Sequence, residues 1–445
     1  MKVSQLVAAE AIQQVLAGRN LNIALESALH SHADATPQQR AVAQDLSYGT
    51  LRFYGQIQAL LAQLLEKPLR DERLRCLLLV AIYQLQHDKA ASHTVVDQAV
   101  KAASQFKHAW AKGLVNGVLR NFLRQQDSLL QTISDNEIAT YSYPKWWISK
   151  LKLQYPQIWQ AMLVAGNVHP PMSLRVNQRR MPVTDYQKKL DEQGLANNHP
   201  GGYALILDKA LPVDKIPGFY DGDVSVQDYG AQLAAELLDL HDGMQVLDAC
   251  CAPGGKTGHI LEKADVSLTA MDSDATRLRR TEDNLQRLNL QRLKLEARLV
   301  VGDAASNDWW DGVPFDRILA DVPCTASGIV RRHVDIKWLR READISSFTR
   351  QQAAILPSLW RLLAKGGKLL YVTCSVFHEE NQRQVDNFLK TQTDAKQLPL
   401  AAFESATSDT VAWDTVTWDT TTEKHGQLLP CAQHDGFFYA LLQKQ

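Results

Sequence analysis

The sequence predicts a multidomain protein: an all-helical amino-terminal domain, a small α/β module, and a carboxy-terminal α/β Rossmann-like domain built on a doubly wound parallel sheet. Three observations carry this. The chain has 445 residues, more than one hydrophobic core usually spans. Its first 140 or so residues show helical periods and almost no strand alternation. From about residue 223, short apolar runs alternate with helical stretches, the pattern of a parallel sheet covered on both faces. The expected domains are therefore 1–140, 141–222 and 223–445.

In the first of these, Ser4 is a candidate N-cap, and Ala8, Ile12, Val15 and Leu16 share one face before Gly18 ends the run. The apolar run from Cys76 to Tyr83 reads as a buried helix. Further on, Lys112, Asn116, Arg120 and Arg124 recur every four residues, opposite Val115, Val118, Leu119 and Phe122. Such a basic stripe is a solvated helix face or a set of phosphate contacts, and spacing alone does not decide.

At Tyr143-Pro144-Lys145-Trp146-Trp147 the texture changes to a short helical lead, then Pro170-Pro171, then the alternating Met172 to Asn177. A small mixed α/β unit follows to about Gly222. Strands are then expected at Gln245 to Asp248, Ser267 to Met271, Leu299 to Val301, Arg317 to Ala320 and Lys368 to Thr373. Helices are expected to Asn289, from about Ser347 to Leu363, and to about Lys390, with a final strand at Gly436 to Leu442 in the same sheet. The threonine-rich, acidic segment Thr407 to Glu423 repeats Val-x-Trp-Asp-Thr without a packing period and reads as a surface loop or insertion.

Composition narrows the function. A net charge of -1 gives no whole-chain polyanion signal, yet residues 1–150 hold 16 Lys and Arg against 12 Asp and Glu. The stretch Arg331 to Arg341 is basic too, with Asp335 its one acid. Nucleic acid would thus bind at local patches. No apolar run approaches the roughly twenty residues of a membrane span, and no cleavable signal precedes the first helix. A cytoplasmic protein is expected. The six cysteines lack disulfide or zinc spacing, so the thiols are expected free and no metal is expected.

A strand, a Gly-Gly turn, a helix, a second strand and then an acid about twenty positions on is the arrangement that binds an adenosine-containing cofactor at strand ends. Here the turn is Cys250-Cys251-Ala252-Pro253-Gly254-Gly255-Lys256, and the acid is Asp272, which can bind both ribose hydroxyls. Asp303 after the third strand can accept the adenine amino group, and Asp321 ends the fourth. Gly255-Lys256-Thr257 imitates the end of a P-loop, but position 250 is cysteine where that motif needs its first glycine.

Two cysteines stand at strand ends: Cys324 in Asp321-Val322-Pro323-Cys324 and Cys374 in Thr373-Cys374-Ser375. A helix beginning near Phe377 would favour a thiolate at Cys374. Together with the glycine turn, these motifs resemble the Sun/Fmu (RsmB) family of bacterial 16S ribosomal RNA cytosine-C5 methyltransferases, over nearly the full length. The resemblance implies S-adenosylmethionine as methyl donor, with contacts at Cys250 to Lys256, Asp272, Asp303 and Asp321. It implies Cys374 as the nucleophile that adds to C6 of the base, and Cys324 as the thiol that assists product release. Asp321, if burial keeps its carboxyl protonated, would hydrogen-bond N3, and Lys256 would share that work at the O2 side.

By the same resemblance, Ile329 to Trp338 lies beside the substrate, so that Arg331, Arg332, His333 and Lys337 contact phosphate and Trp338 stacks or packs. The helical region resembles the RNA-binding protein NusB, with Lys112, Arg120 and Arg124 as RNA contacts, and residues around Ser173 to Asn177 resemble an RNA-recognition-like module. The expected partner is 16S ribosomal RNA and the expected state a monomer. Departures are few: Cys251 replaces the usual alanine, Pro430-Cys431 a common Pro-Gly, and the Trp-Asp-Thr repeat is no family hallmark. Transfer RNA as substrate stays open. Amino-group methylation would want an Asn/Asp-Pro-Pro-Tyr/Phe motif, and an inactive RNA-binding factor would not need both cysteines and three strand-end acids.

Overall fold

The computed structural model describes residues 1–87, 90–106, 108–288, 297–400 and 426–445. The Val-x-Trp-Asp-Thr repeat of 407–423 lies outside them. The described residues form two compact units, 1–168 with 330–342, and 169–329 with 343–445.

The first unit is helical, with ten α-helices between Lys2 and Ala165 among the described residues. Ser4 is not a cap: the helix Lys2–Leu16 begins before it, and the buried Ser4 hydroxyl donates to Gln39 O at 3.0 Å. Ala8, Ile12 and Val15 are buried as the spacing requires, against the helix Glu72–His87 with its buried run Cys76 to Ile82. Helices Lys145–Gln154 and Trp159–Ala165 belong to this unit. The aromatic cluster that changes the texture there is core: Tyr143 and Trp147 are buried edge to face, 5.7 Å apart.

In the second unit, β1 (Met172–Val176), β2 (Asn197–Gly201), β3 (Ala204–Leu207) and β4 (Val224–Val226) form an antiparallel sheet in the order β2-β3-β1-β4, with the helix Val183–Glu192 packed against it. The larger sheet comprises β5 (Gln245–Ala249), β6 (Ser267–Asp272), β7 (Ala297–Val301), β8 (Phe315–Asp321), β9 (Leu363–Thr373), β10 (Ala395–Leu398), β11 (Gln427–Leu428) and β12 (Phe437–Lys444). Its order is β10-β12-β9-β8-β5-β6-β7, with β11 paired to β12. The run β9-β8-β5-β6-β7 is parallel, while β12 adds antiparallel to β9. The sheet is thus mixed at one edge, and the final strand joins it as expected. Apolar clusters cover both faces, one around Leu233, Ile260 and Leu370, the other around Met271, Leu359 and Tyr371. Buried parallel strands leave their carboxyl ends as the open edge where polar side chains gather.

Candidate active site

Five of those carboxyl ends, of β5 through β9, supply the site. After β5 the backbone turns sharply, with Cys250 at φ 60° and Gly254 at φ 90°, before the helix Gly255–Lys263. Gly254 is needed twice over: its conformation is left-handed, and a Cβ would stand 2.7 Å from Thr281 Cγ2. Asp272, at the end of β6, is buried and holds the turn, accepting Ala252 N at Oδ2 (3.1 Å) and Asp274 N at Oδ1 (3.0 Å). Asp303 follows β7, exposed, with Oδ1 accepting Ala305 N at 2.9 Å.

Asp248 was not singled out by motif. It is fully buried, Oδ2 accepts the Thr257 hydroxyl at 2.6 Å, and Oδ1 has no hydrogen-bond partner among the described residues. Burial, with the charge of Asp321 adding to it and the Thr257 hydrogen bond opposing, pushes its carboxyl up to about 7. A buried acceptor left open beside a tight turn fits a donor-bearing, cationic cofactor such as S-adenosylmethionine.

Asp321 ends β8 and meets Lys256 Nζ at 2.5 Å. Burial pulls the Lys256 pKa down, but the charge and hydrogen bond of Asp321 outweigh it and the net shift is upward. The carboxyl expected to stay protonated by burial is instead partly exposed and ion-paired.

The two thiols meet. Cys324 Sγ and Cys374 Sγ are 3.5 Å apart, the first buried, the second half-buried. The hydrogen bond to Cys374, then burial, raises the Cys324 thiol far above its ordinary value. The loops are tied by Gly328 N to Cys374 O at 2.8 Å. No α-helix starts near Phe377: a 3₁₀ turn at His378–Glu380 intervenes and the helix begins at Gln382. The reason is local. Asn381 turns back into the loop, donating to Ser375 O at 2.9 Å and accepting the Thr373 hydroxyl at 2.6 Å.

The residues expected to touch RNA lie in the helical unit. Lys112, Arg120 and Arg124 are exposed on the helix Ala111–Thr132, with Arg120 Nε on Asn116 Oδ1 at 3.0 Å. Arg332 and His333 are half-buried, whereas Arg331 and Lys337 are buried. Lys337 turns inward: its ammonium donates to Arg52 O and Asn167 Oδ1, each at 2.7 Å, and lies 4.4 Å from the Tyr143 ring centre. Trp338 donates its indole N–H to Leu51 O at 2.7 Å, which is packing. Among the described residues there is no group of His, Cys, Asp and Glu that could hold a metal, and no helix long and apolar enough to cross a membrane.

A family model described as 16S rRNA methyltransferase RsmB/F matches residues 235–443, the NusB family matches 2–124, and an RsmF/B-like ferredoxin-like domain matches 143–214. The ribosomal RNA small subunit methyltransferase B of Pseudomonas syringae pv. tomato is 39% identical, covering 99% of this chain and 96% of its own. The chain belongs to the RsmB family. A crystal structure of PH0851 covers 100% of this chain and 99% of its own at a TM-score of 0.77 and 25% identity. NSun6 from Pyrococcus horikoshii, solved with SFG, shares the fold over 68% of this chain and 98% of its own, at a TM-score of 0.57 and 20% identity. The helical, ferredoxin-like and catalytic parts of the RsmB family thus follow one another here in that order. Besides Asp248, motif reading passed over Glu380, which binds the residues following both thiols; its only signal in sequence is a glutamate six positions after Cys374.

Proposed function

We propose that the protein methylates carbon 5 of a cytosine in 16S ribosomal RNA through a covalent bond between Cys374 Sγ and carbon 6 of the base. The observation that supports this most is the 3.5 Å approach of the two thiols at the ends of β8 and β9. Carbon 5 is too electron-poor to take a methyl group directly, and addition of a thiolate at carbon 6 turns the ring into an enamine. Cys374 is the more exposed thiol and makes that addition. The base must be unstacked to present its carbon 6 face.

An ion-paired carboxylate accepts rather than donates. Lys256, held charged by Asp321, therefore donates at the N3 and O2 edge, while Asp321 accepts from the 4-amino group. Bound S-adenosylmethionine would supply the electrophilic methyl, held by the turn 250–256 with Asp248, Asp272 and Asp303. Water takes the carbon 5 proton as the carbon–sulfur bond breaks. Cys324, whose thiol keeps its proton, donates a hydrogen bond to the departing Cys374 sulfur and so favours release.

The test is transfer of labelled methyl from S-adenosylmethionine to unmodified 16S RNA and to transfer RNA. For Cys374→Ala, activity should fall on the order of 10⁴-fold or more, with no covalent protein–RNA band. Cys324→Ala should form the band and retain it. A band that persists in Cys374→Ala and vanishes in Cys324→Ala would make Cys324 the nucleophile, and transfer RNA methylated in preference would overturn the substrate.

A further inference from the structure

We propose that Glu380 is a positioning residue that sets the two thiols against each other. The inference rests on the two-thiol reading above and deepens it. Thr325 and Ser375 directly follow Cys324 and Cys374, and both hydroxyls donate to one oxygen, Glu380 Oε2, each at 2.5 Å. The other oxygen, Oε1, accepts Thr325 N at 2.8 Å and lies 3.5 Å from Gln352 Nε2, which also donates to Pro323 O at 2.9 Å. Ser327 Oγ closes the cluster at 3.0 Å from Ser375 Oγ and accepts Val376 N at 2.9 Å.

The loops that carry the thiols leave two different strands. One buried carboxylate therefore joins them at the residue next to each sulfur. Glu380 is itself fixed, since Tyr371 Oη on β9 donates to its carbonyl at 2.7 Å. It is wholly buried, and a buried carboxylate is costly unless several donors meet it. An apolar side chain would fill the space more cheaply. What it could not do is receive two hydroxyls at one point, which fixes the loops in register. Burial pushes the carboxyl up while the Ser375, Thr325 and Gln352 donors hold it down. Short charge-assisted bonds of this kind are directional and so position as well as bind.

The experiment measures thiol proximity in the full-length, RNA-free protein. Diamide converts two neighbouring thiols to a disulfide, its N=N bond taking up two electrons and two protons to become a hydrazine. Sulfurs 3.5 Å apart need close by only about 1.5 Å to reach a bond of about 2.05 Å. The Cys324–Cys374 disulfide is followed by peptide mapping in wild type, Glu380→Gln and Glu380→Ala. Glutamine keeps the volume should alanine fail to fold, and S-adenosylmethionine affinity checks that the turn 250–256 is intact. Cross-linking should slow at least ten-fold in the variants, and kcat should fall at least ten-fold with little change in the cofactor KM. A wild-type cross-linking rate in both variants overturns the proposal. Should cross-linking slow while Cys374→Ala still methylates, the positioning stands and the covalent reading fails.

Discussion

Asp248 ends β5 with one oxygen on the Thr257 hydroxyl and the other open, and this has a consequence for stability. Its carboxyl goes from an ordinary 3.8 to about 7 on folding, so between those values the folded chain holds a proton that the unfolded chain has lost. Stability from this group is full below 3.8 and is lost as pH rises toward about 7. The cofactor-free protein should therefore lose stability over that window, and Asp248→Asn should lose less, as urea denaturation at a series of pH values would record. Parallel slopes for the two proteins would refute it. The neighbours Asp321, Asp272 and Lys256 are unchanged in the comparison. At this scale the thiols and the strand-end acids were legible because each stands in a short motif. Asp248, Glu380 and the Lys256 pairing were not, because burial and hydrogen-bond partners come from distant segments: Thr325 lies 55 residues from Glu380, and Asp321 65 from Lys256.

Elements show the same division. Short apolar runs located β5 through β8 and β12 to within two residues, and β9 only from Lys368 on, since a strand buried on both faces reads as a continuous apolar run. The helix after Cys374 was misplaced because Asn381 diverts the backbone through side-chain bonds that no periodicity announces. Nor did periodicity announce how β1 meets the cofactor turn. Arg175 on β1 is fully buried, pairs with Glu262 through Nε (2.8 Å) and Nη2 (2.7 Å), and donates from Nη1 to Gly255 O at 2.8 Å. The small module thus braces the helix Gly255–Lys263 at both ends. Arg175→Ala leaves Glu262 charged and buried alone, which should cost about 3–5 kcal/mol in equilibrium unfolding and weaken S-adenosylmethionine binding. Pairing it with Glu262→Leu should recover much of the stability but not the binding, because the Gly255 contact stays lost. Full recovery of both would show that Arg175 only neutralises Glu262.

For the whole molecule, length and texture announced three parts, but they did not reveal that the chain leaves one compact unit at Ile329 and rejoins it at Ala343 after lending 330–342 to the helical unit. The basic stretch there looked like surface because charge in sequence suggests solvent. Its packing says otherwise: Val334 is buried in the helical core, Asp335 Oδ2 accepts Asn20 Nδ2 (3.1 Å) and Leu21 N (2.9 Å), and Lys337 is satisfied by Arg52 O and Asn167 Oδ1. Asp335 thereby reaches the amino-terminal turn of the helix Leu21–Ser31, where a negative charge is favoured. A fragment of residues 1–168 lacks these partners. Its amides at the start of that helix lose an acceptor, and the seat of Val334 and Trp338 is exposed. The fragment should melt several degrees below the same fragment mixed with a saturating 330–342 peptide, followed by circular dichroism, since any ligand that binds only the folded form stabilises it by mass action. A Lys337→Ala, Asp335→Ala peptide should lose most of that effect. If the intact peptide produced no shift and no binding, the segment would be a passenger on the helical unit rather than part of its core.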